Sequence, residues 1–212
     1  MAQIYKVFFN DRTLFVLESE TDANLINCNL KCINPNSQQA KAFVESFRHN
    51  TLQQTAVIVT DSTATEIIQW LKDNYKYICA AGGLVENNNG EYLFIHRLGC
   101  WDLPKGKVEK NEHIATAAVR EVQEECSIED PKIQFQICST FHTYELKNQL
   151  VLKETVWYKM YYEGDEIPQP QTEENIAIAL WRDKSDIEDI MANTYPSIKE
   201  VIESCQTLEK EH

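Results

Sequence analysis

The stretch that decides the fold is LPKGKVEKNEHIATAAVREVQEECSI, residues 103–128. Its second half, from Ile114 to Ser127, has apolar residues at helical spacing and predicts an α-helix. Its first half contains Pro104 and Gly106, which favour a loop leading into that helix. Long ordered loops in compact domains are often functional. We therefore look for the chemistry of the chain in this loop and helix first.

Three glutamates, Glu121, Glu124 and Glu125, stand near the end of the predicted helix. At about 100° per residue they fall within an arc of roughly 100°. This arc continues the apolar stripe of the helix, whose members are Ile114, Ala117, Ala118 and Val122. A solvated acidic face is the alternative interpretation. Against it, Glu121 and Glu125 are four residues apart, where like charges repel, and the C-terminal end of a helix disfavours anions. A cation must compensate, and hard oxygen ligands on one face suit Mg²⁺ or Mn²⁺.

The same stretch resembles the Nudix box, G-x5-E-x7-R-E-U-x-E-E-x-G-U, in which U is an aliphatic residue. The positions in register are Gly106, Glu112, Arg120, Glu121, Val122, Glu124, Glu125 and Ile128. Ser127 stands where the family has its last glycine. That glycine closes the helix at a position favouring the left-handed conformation, so serine is expected to cost on the order of 1 kcal/mol. The resemblance extends more loosely from about Tyr77 to the last helices.

The resemblance implies a role for each matching position. Glu121, Glu124 and Glu125 would be metal ligands, together with the backbone carbonyl of Gly106. Arg120 would orient the carboxylates through a salt bridge. Glu112 would bind the metal through water or pair with Arg120. The implied fold for residues 77–212 is an α/β/α sandwich around a mixed sheet, and the implied reaction is hydrolysis of a nucleoside diphosphate linked to another group, by attack of water on phosphorus.

The groups that would surround the substrate are less sharply defined by the sequence. Four cations are candidates for binding phosphates: Arg97, Lys105, Lys107 and Lys153. Each of them is explained equally well as a surface cation that has no functional role. Two aromatic residues are candidates for stacking on a base, namely Tyr144 and Trp157, although half-buried aromatic residues in strands more often belong to the core. The resemblance places the general base variably outside the box, and its candidates are His142, Glu173 and Glu174.

Residues 1–76 are predicted to form a separate, small α/β domain. Two β-rich runs, IYKVFF and TLFVLES, favour a hairpin, and QQAKAFVESF has the apolar spacing of a helix. No phosphate-binding loop, catalytic triad or cluster of metal ligands appears in this segment. A packing role, or a homodimer interface, is the interpretation that such a segment favours.

Composition narrows the class of protein. The net charge of -13 disfavours binding of a nucleic-acid backbone, RNA decapping included. The seven cysteines are odd in number and scattered, which favours reduced thiols over a disulfide framework. No signal peptide or membrane-length apolar span is evident. We therefore expect a cytoplasmic protein that does not associate with a membrane.

The sequence therefore predicts a Mg²⁺- or Mn²⁺-dependent Nudix-type pyrophosphohydrolase acting on a small nucleotide or polyphosphate. The LPKGKVE form of the loop resembles members that act on dinucleoside polyphosphates, which are the leading substrate hypothesis. ADP-ribose, oxidised nucleotides and inositol pyrophosphates stay open. The alternative is a Nudix-derived sensor that binds a nucleotide or ADP-ribose-type ligand without turnover, although a binder has no need of three metal carboxylates.

Overall fold

The computed structural model describes residues 4–18, 20–60 and 64–211. The chain divides into two compact units. The first consists of Met1–Ile78 with Phe141–Lys153, and the second of Cys79–Thr140 with Glu154–His212. Each unit is described by itself below.

The first unit has α/β architecture. Its elements in chain order are β1 (Ile4–Phe9), β2 (Arg12–Leu17), α1 (Glu20–Leu25), β3 (Lys31–Ile33), α2 (Ser37–His49), β4 (Thr55–Val59) and α3 (Ala64–Asn74). The predicted hairpin is present as β1 and β2, which pair antiparallel, while β2, β4 and β3 run parallel. The apolar faces of α2 and α3 pack together on one side of these strands. Ala23 of α1 packs in a separate cluster with Leu17, Val57 and Val59.

The remaining elements build most of the second unit. They are β5 (Lys76–Asn87), β6 (Tyr92–Arg97), β7 (Cys100–Asp102), β8 (Lys105–Lys107), α4 (Ile114–Cys126), β9 (Lys132–Leu146), β10 (Gln149–Tyr162), β11 (Ile176–Arg182), α5 (Ile187–Ala192) and α6 (Pro196–Glu211). Their strand order is β11-β6-β5-β10-β9, with β7 paired to β6 and β8 paired to β5. The loop between β6 and α4 is therefore partly extended, because β7 and β8 add short pairings there.

Helices cover both faces of the sheet in the second unit. Alternate residues of a strand point to opposite faces, and in β6 Leu93 and Ile95 pack with α4 whereas Tyr92 and Phe94 pack with α5 and α6. The predicted α/β/α sandwich is therefore confirmed for this unit. Helix α4 and the loop before it lie on the face that Ile95 and Arg97 share.

The hairpin of β9 and β10 departs from the predicted division of the chain. The sequence assigns residues 141–153 to the second domain. In the structure they belong to the first unit, because the end of β9 pairs in parallel with β1, placing Phe141 opposite Val7 and Thr143 opposite Phe9. Such long-range pairing leaves no local signal in either segment.

All seven cysteines lie within the described residues, and each is present there as a thiol outside any disulfide. Among the described residues, the helices are too short or too polar to cross a bilayer.

Candidate active site

Helix α4 carries the three glutamates and ends where the sequence predicts. Its last helical residue is Cys126, and Ser127 follows with φ 51° and ψ 41° in the left-handed region. The N–H of Ser127 donates to the carbonyl of Gln123 at 2.8 Å and so closes the last turn. A residue with a Cβ is disfavoured in this conformation, which is why glycine is the usual choice there. The expectation of a left-handed serine is confirmed.

The three glutamates differ in burial. The side chain of Glu125 is 1% exposed, that of Glu121 12% and that of Glu124 50%. Glu125 and Glu121 thus continue the buried stripe of α4, whereas Glu124 faces solvent. Ile114, predicted on the same stripe, is 38% exposed in the first turn. The acids therefore run from the interior outward toward an open surface.

One guanidinium contacts three of the acids, and we call Glu112, Arg120, Glu121 and Glu124 the Arg120 cluster. Arg120 Nε donates to Glu112 Oε1 at 2.8 Å, and Nη2 donates to Glu112 Oε2 at 3.0 Å, a bidentate pairing. Nη1 donates to Glu121 Oε1 and to Glu124 Oε2, each at 2.8 Å. The remaining Nη2 contact is the carbonyl of Lys107 at 3.1 Å. Arg120 therefore ties the helix to the loop that precedes it.

The loop approaches the helix most closely at Gly106. A Cβ placed on Gly106 would overlap the carboxylate of Glu121. A larger residue here would displace the Glu121 carboxylate from its position beside the loop. On its other side Gly106 pairs with Ala81 of β5, so the sheet fixes its position.

Glu125 lies deepest and is only half satisfied. Its Oε2 accepts a hydrogen bond from the backbone N–H of Lys105 at 2.9 Å, while Oε1 is buried and has no hydrogen-bond partner among the described residues. The guanidinium of Arg97 approaches this oxygen, with Nη1 3.8 Å from Oε1. Burial raises the pKa of Glu125 to about 7, even though the nearby Lys105 opposes this. A buried carboxylate oxygen without a donor is costly.

The charges around α4 are unbalanced. The hydrogen bond from Arg120 lowers the pKa of Glu112 to about 2 and raises the pKa of Arg120 itself. Burial raises the pKa of Glu121 in spite of its contact with Arg120. One guanidinium thus serves three carboxylates, with the orphaned oxygen of Glu125 beside them.

These donors have the chemistry of a hard divalent cation site. Carboxylate oxygens and the Gly106 carbonyl suit Mg²⁺ or Mn²⁺, and the orphaned Oε1 of Glu125 needs a positive partner. Across residues 4–18, 20–60 and 64–211, no three His, Cys, Asp or Glu side chains already converge on one point at metal-binding distances. In the Arg120 cluster the guanidinium occupies the centre and holds the acids around itself. The residues present fit the cation, with rotation of their side chains.

The predicted substrate cations fall in different places. Arg97 contacts Glu125 and, through Nη2, Glu174 Oε2 at 3.6 Å, so it bridges α4 and the short 3-10 turn Thr172–Glu174. Lys105 forms an ion pair with Asp102, which directs its ammonium into the loop. Lys107 faces the site through its carbonyl. Of the candidate bases, Glu174 contacts Arg97, which in turn contacts Glu125.

Four of the predicted site residues do not belong to the group of side chains around Arg120 and Glu125. Trp157 is 1% exposed, lies in the core under α5 and α6, and donates from Nε1 to Thr140 at 2.8 Å. The proposal that Trp157 stacks on a base is therefore wrong for this structure, because its strand face is covered by helices. The other three, His142, Tyr144 and Lys153, belong to the hairpin end in the first unit.

Sequence reasoning missed two buried charged groups in the second unit. Asp102, which is 3% exposed, is the last residue of β7 and directly precedes the loop that contains Gly106. Lys159, 1% exposed, contacts the carboxylates of Glu86 and Glu209 and the hydroxyl of Tyr92. With Lys184, which also pairs with Glu86, these residues form what we call the Lys159 cluster. The spacing of Asp102 and Lys105 is a signal for the first group, whereas the second depends on contacts distant in sequence.

An α/β/α sandwich with a glutamate-bearing helix facing a glycine loop defines the class of protein. A family model described as NUDIX domain matches residues 76–204, more than half of the chain. The chain belongs to the Nudix family. The match contains the whole of the loop and helix described above.

Individual relatives are more distant. Nudix hydrolase 10 of Arabidopsis thaliana is 27% identical over 119 residues, covering 51% of this chain and 40% of that protein. Nudix hydrolase 8 of the same plant is 30% identical over 95 residues, covering 42% of this chain and 26% of that protein. The chain thus spans less than half the length of these relatives. A crystal structure of an Ap4A hydrolase from C. elegans covers 64% of this chain and 99% of that chain, with a TM-score of 0.50 and 22% identity, and shows a shared fold.

Proposed function

We propose that this protein is a divalent-metal-dependent pyrophosphohydrolase, which cleaves a nucleoside diphosphate linked to another group by attack of water on phosphorus. The observation that carries the proposal is the buried, orphaned Oε1 of Glu125 beside the acid-rich Arg120 cluster. An apolar or amide side chain would be more stable at this depth. A retained carboxylate is explained if a cation is held there.

Each residue has a distinct task in this proposal. Glu121, Glu124, Glu125 and the Gly106 carbonyl hold Mg²⁺ or Mn²⁺, which when bound neutralises the pyrophosphate, polarises the attacking water and stabilises the leaving oxygen. Arg120 keeps the acids on the loop side of α4. Glu112 holds Arg120 in a bidentate pair and so fixes its direction.

Glu174 is our candidate for the residue that takes the proton from water. Its carboxylate contacts Arg97 at 3.6 Å, and Arg97 also faces the orphaned oxygen of Glu125. The backbone N–H of Gln171 donates to the Glu125 carbonyl at 3.1 Å, which ties the segment before Glu174 to the end of α4. Glu173 and His142 are the alternative candidates for this role.

Dinucleoside polyphosphates are the substrates we propose first. The support is the LPKGKVE form of the loop, because the likeness to the Ap4A hydrolase is a likeness of fold. Lys107, which is exposed in β8, is the phosphate-binding cation we propose first, since Lys105 is paired with Asp102 and Arg97 contacts Glu125 and Glu174. A sensor without turnover would have no need of three metal carboxylates.

The test is a panel of dinucleoside polyphosphates, ADP-ribose, oxidised nucleoside triphosphates and inositol pyrophosphates, assayed with Mg²⁺ or Mn²⁺ and with chelator. Products are identified by mass spectrometry in ¹⁸O-labelled water. We expect turnover that needs the cation and places ¹⁸O on a product phosphate. Binding without turnover of any compound would favour the sensor and contradict the proposal.

The first unit is proposed to serve packing or self-association, with residues 1–76 as a separate domain. Light scattering on the full chain tests the second role. A dimer supports an interface between copies, and a monomer at all concentrations removes that role.

A further inference from the structure

Asp102 is a buried carboxylate that the mechanism above does not use. Its Oδ1 accepts the N–H of Leu103 at 2.8 Å, and its Oδ2 forms an ion pair with Lys105. The ammonium of Lys105 also donates to the carbonyl of Leu103 at 3.3 Å. Removing one partner of a buried pair leaves the other uncompensated. The pair therefore holds the four-residue turn from Asp102 to Lys105 closed.

The same turn is held from its other side by β5. The carbonyl of Pro104 accepts the N–H of Gly83 at 3.1 Å. A Cβ on Gly82 would overlap that carbonyl, so glycine is required for the approach. Pro104 restricts its own φ as well. Between the ion pair and the strand, the turn has little freedom to move.

This constraint fixes one hydrogen bond to the deepest acid of the site. The backbone N–H of Lys105 leaves the turn toward α4 and donates to Glu125 Oε2 at 2.9 Å. The other oxygen, Oε1, has no hydrogen-bond donor. Lys105 thus selects which oxygen of Glu125 stays available for a cation and in which direction it points.

We propose that Asp102 is a positioning residue for the metal site, acting through Lys105 to hold the backbone N–H that orients Glu125. This inference rests on the function proposed above. Groups that orient a metal ligand in this way commonly change metal affinity by roughly 10- to 100-fold when they are removed.

The competing explanation is a charge effect on the affinity for the cation. For Lys105→Met, charge and positioning predict opposite changes in that affinity. Loss of the carboxylate in Asp102→Asn weakens cation binding through charge alone as well as through lost positioning. In Lys105→Met the backbone N–H stays, but a nearby positive charge is lost. Charge alone then predicts tighter binding of a cation. Positioning predicts weaker binding, because the turn is no longer held by the ion pair.

The experiment is calorimetric titration of Mn²⁺ alone into the full chain, with no nucleotide. Wild type, Asp102→Asn, Lys105→Met and Asp130→Asn are compared, and circular dichroism checks that each is folded. Asp130 is a matched control, because it pairs with Lys132 at an exposed position. We expect affinity weaker by roughly 10- to 100-fold for Asp102→Asn and also weaker for Lys105→Met, with Asp130→Asn unchanged.

The outcomes separate the two proposals. Unchanged affinity in Asp102→Asn, or tighter binding in Lys105→Met, overturns the positioning role while the proposed function stands. Absence of Mn²⁺ binding in wild type contradicts the proposed function and this inference with it. If Asp102→Asn does not fold, the Mn²⁺ affinity of Lys105→Met is sufficient as a test. Positioning predicts a weaker affinity for this variant, and charge alone predicts a tighter one.

Discussion

The second unit contains two clusters of charged side chains, and they are balanced differently. In the Lys159 cluster, Lys159 and Lys184 face Glu86 and Glu209, two charges of each sign. Burial opposes ionisation of Glu86, but hydrogen bonds from Lys159 and Lys184 outweigh it and lower its pKa. In the Arg120 cluster one cation serves three acids, and Glu125 beside it has an oxygen without a donor.

The difference teaches how a structural charge cluster can be told from a functional one. A balanced, buried cluster satisfies itself and needs nothing from solvent. An acid-rich cluster at a half-open surface is stabilised when a further cation binds to it. In the second case the hydrogen bonds from Arg120 lower the pKa of Glu112, but burial still raises the pKa of Glu121 and raises that of Glu125 to about 7.

The largest effect is expected for Glu125→Gln. Turnover should fall by on the order of 100-fold or more, because a metal ligand is lost. In metal-free buffer the same variant should unfold at a higher temperature than wild type, since a neutral amide is less costly to bury. Glu124→Gln should lose turnover without the gain in stability, because its side chain is 50% exposed.

Steady-state rates and thermal unfolding in chelator measure both effects. Glu129→Gln, an exposed position just after the box, is the control and should match wild type. Wild-type rates in folded Glu125→Gln would remove Glu125 from the catalytic site.

The Lys159 cluster should respond to substitution in the opposite way. Lys159→Met leaves Glu86 and Glu209 without their shared partner, and should lower the free energy of unfolding by about 3 kcal/mol. Urea denaturation measures the change. Lys132→Met, which breaks an exposed pair, is the matched control and should have little effect. An unchanged urea midpoint for Lys159→Met would show that the cluster does not stabilise the fold.

The stability of metal-free protein should fall as pH rises from about 5 to about 8. The pKa of Glu125 is raised to about 7 in the folded state, above its ordinary value, so the folded state binds a proton that the unfolded state releases. Stability from this group is full at low pH and is lost as pH rises through about 7, an effect of up to about 3 kcal/mol. Urea denaturation in chelator at each pH should show the loss in wild type but not in Glu125→Gln. An equal dependence of stability on pH in wild type and in Glu125→Gln would contradict this prediction.

The smallest effect is expected at the end of α4. Ser127→Gly should raise the free energy of unfolding by about 1 kcal/mol, because Ser127 has φ 51°. Ser127 makes its helix-closing contact through its backbone N–H, which glycine keeps. Thermal unfolding measures the gain. A lower melting temperature for Ser127→Gly would contradict the strain assigned to serine.

The sequence predicts the local part of this site well. Helix α4, its buried acid Glu125 and the left-handed Ser127 all follow from spacing within one helix, where direction is set by 3.6 residues per turn. The sandwich follows from alternating strands and helices together with the resemblance of the box. Each of these signals lies within a few turns of chain.

Contacts between distant segments could not be predicted in this way. Trp157 lies in a strand whose alternate residues point to opposite faces of the sheet. The sequence does not indicate which of those faces α5 and α6 cover. The hairpin end at 141–153 joins the first unit through pairing with β1. The role of Asp102 depends on where Lys105 places its N–H relative to α4. These features arise from tertiary contacts that leave no periodic signal.

The most direct test of the central claim is to measure free Mn²⁺ by electron paramagnetic resonance in the presence of the protein. Wild type, Glu125→Gln and Lys159→Met are compared, each checked for folding. Wild type and folded Lys159→Met should bind Mn²⁺ alike, whereas Glu125→Gln should leave it free, because the cation is held by the acids of α4 and not by the Lys159 cluster. Equal binding by Glu125→Gln and wild type, or loss of binding in folded Lys159→Met, would contradict it.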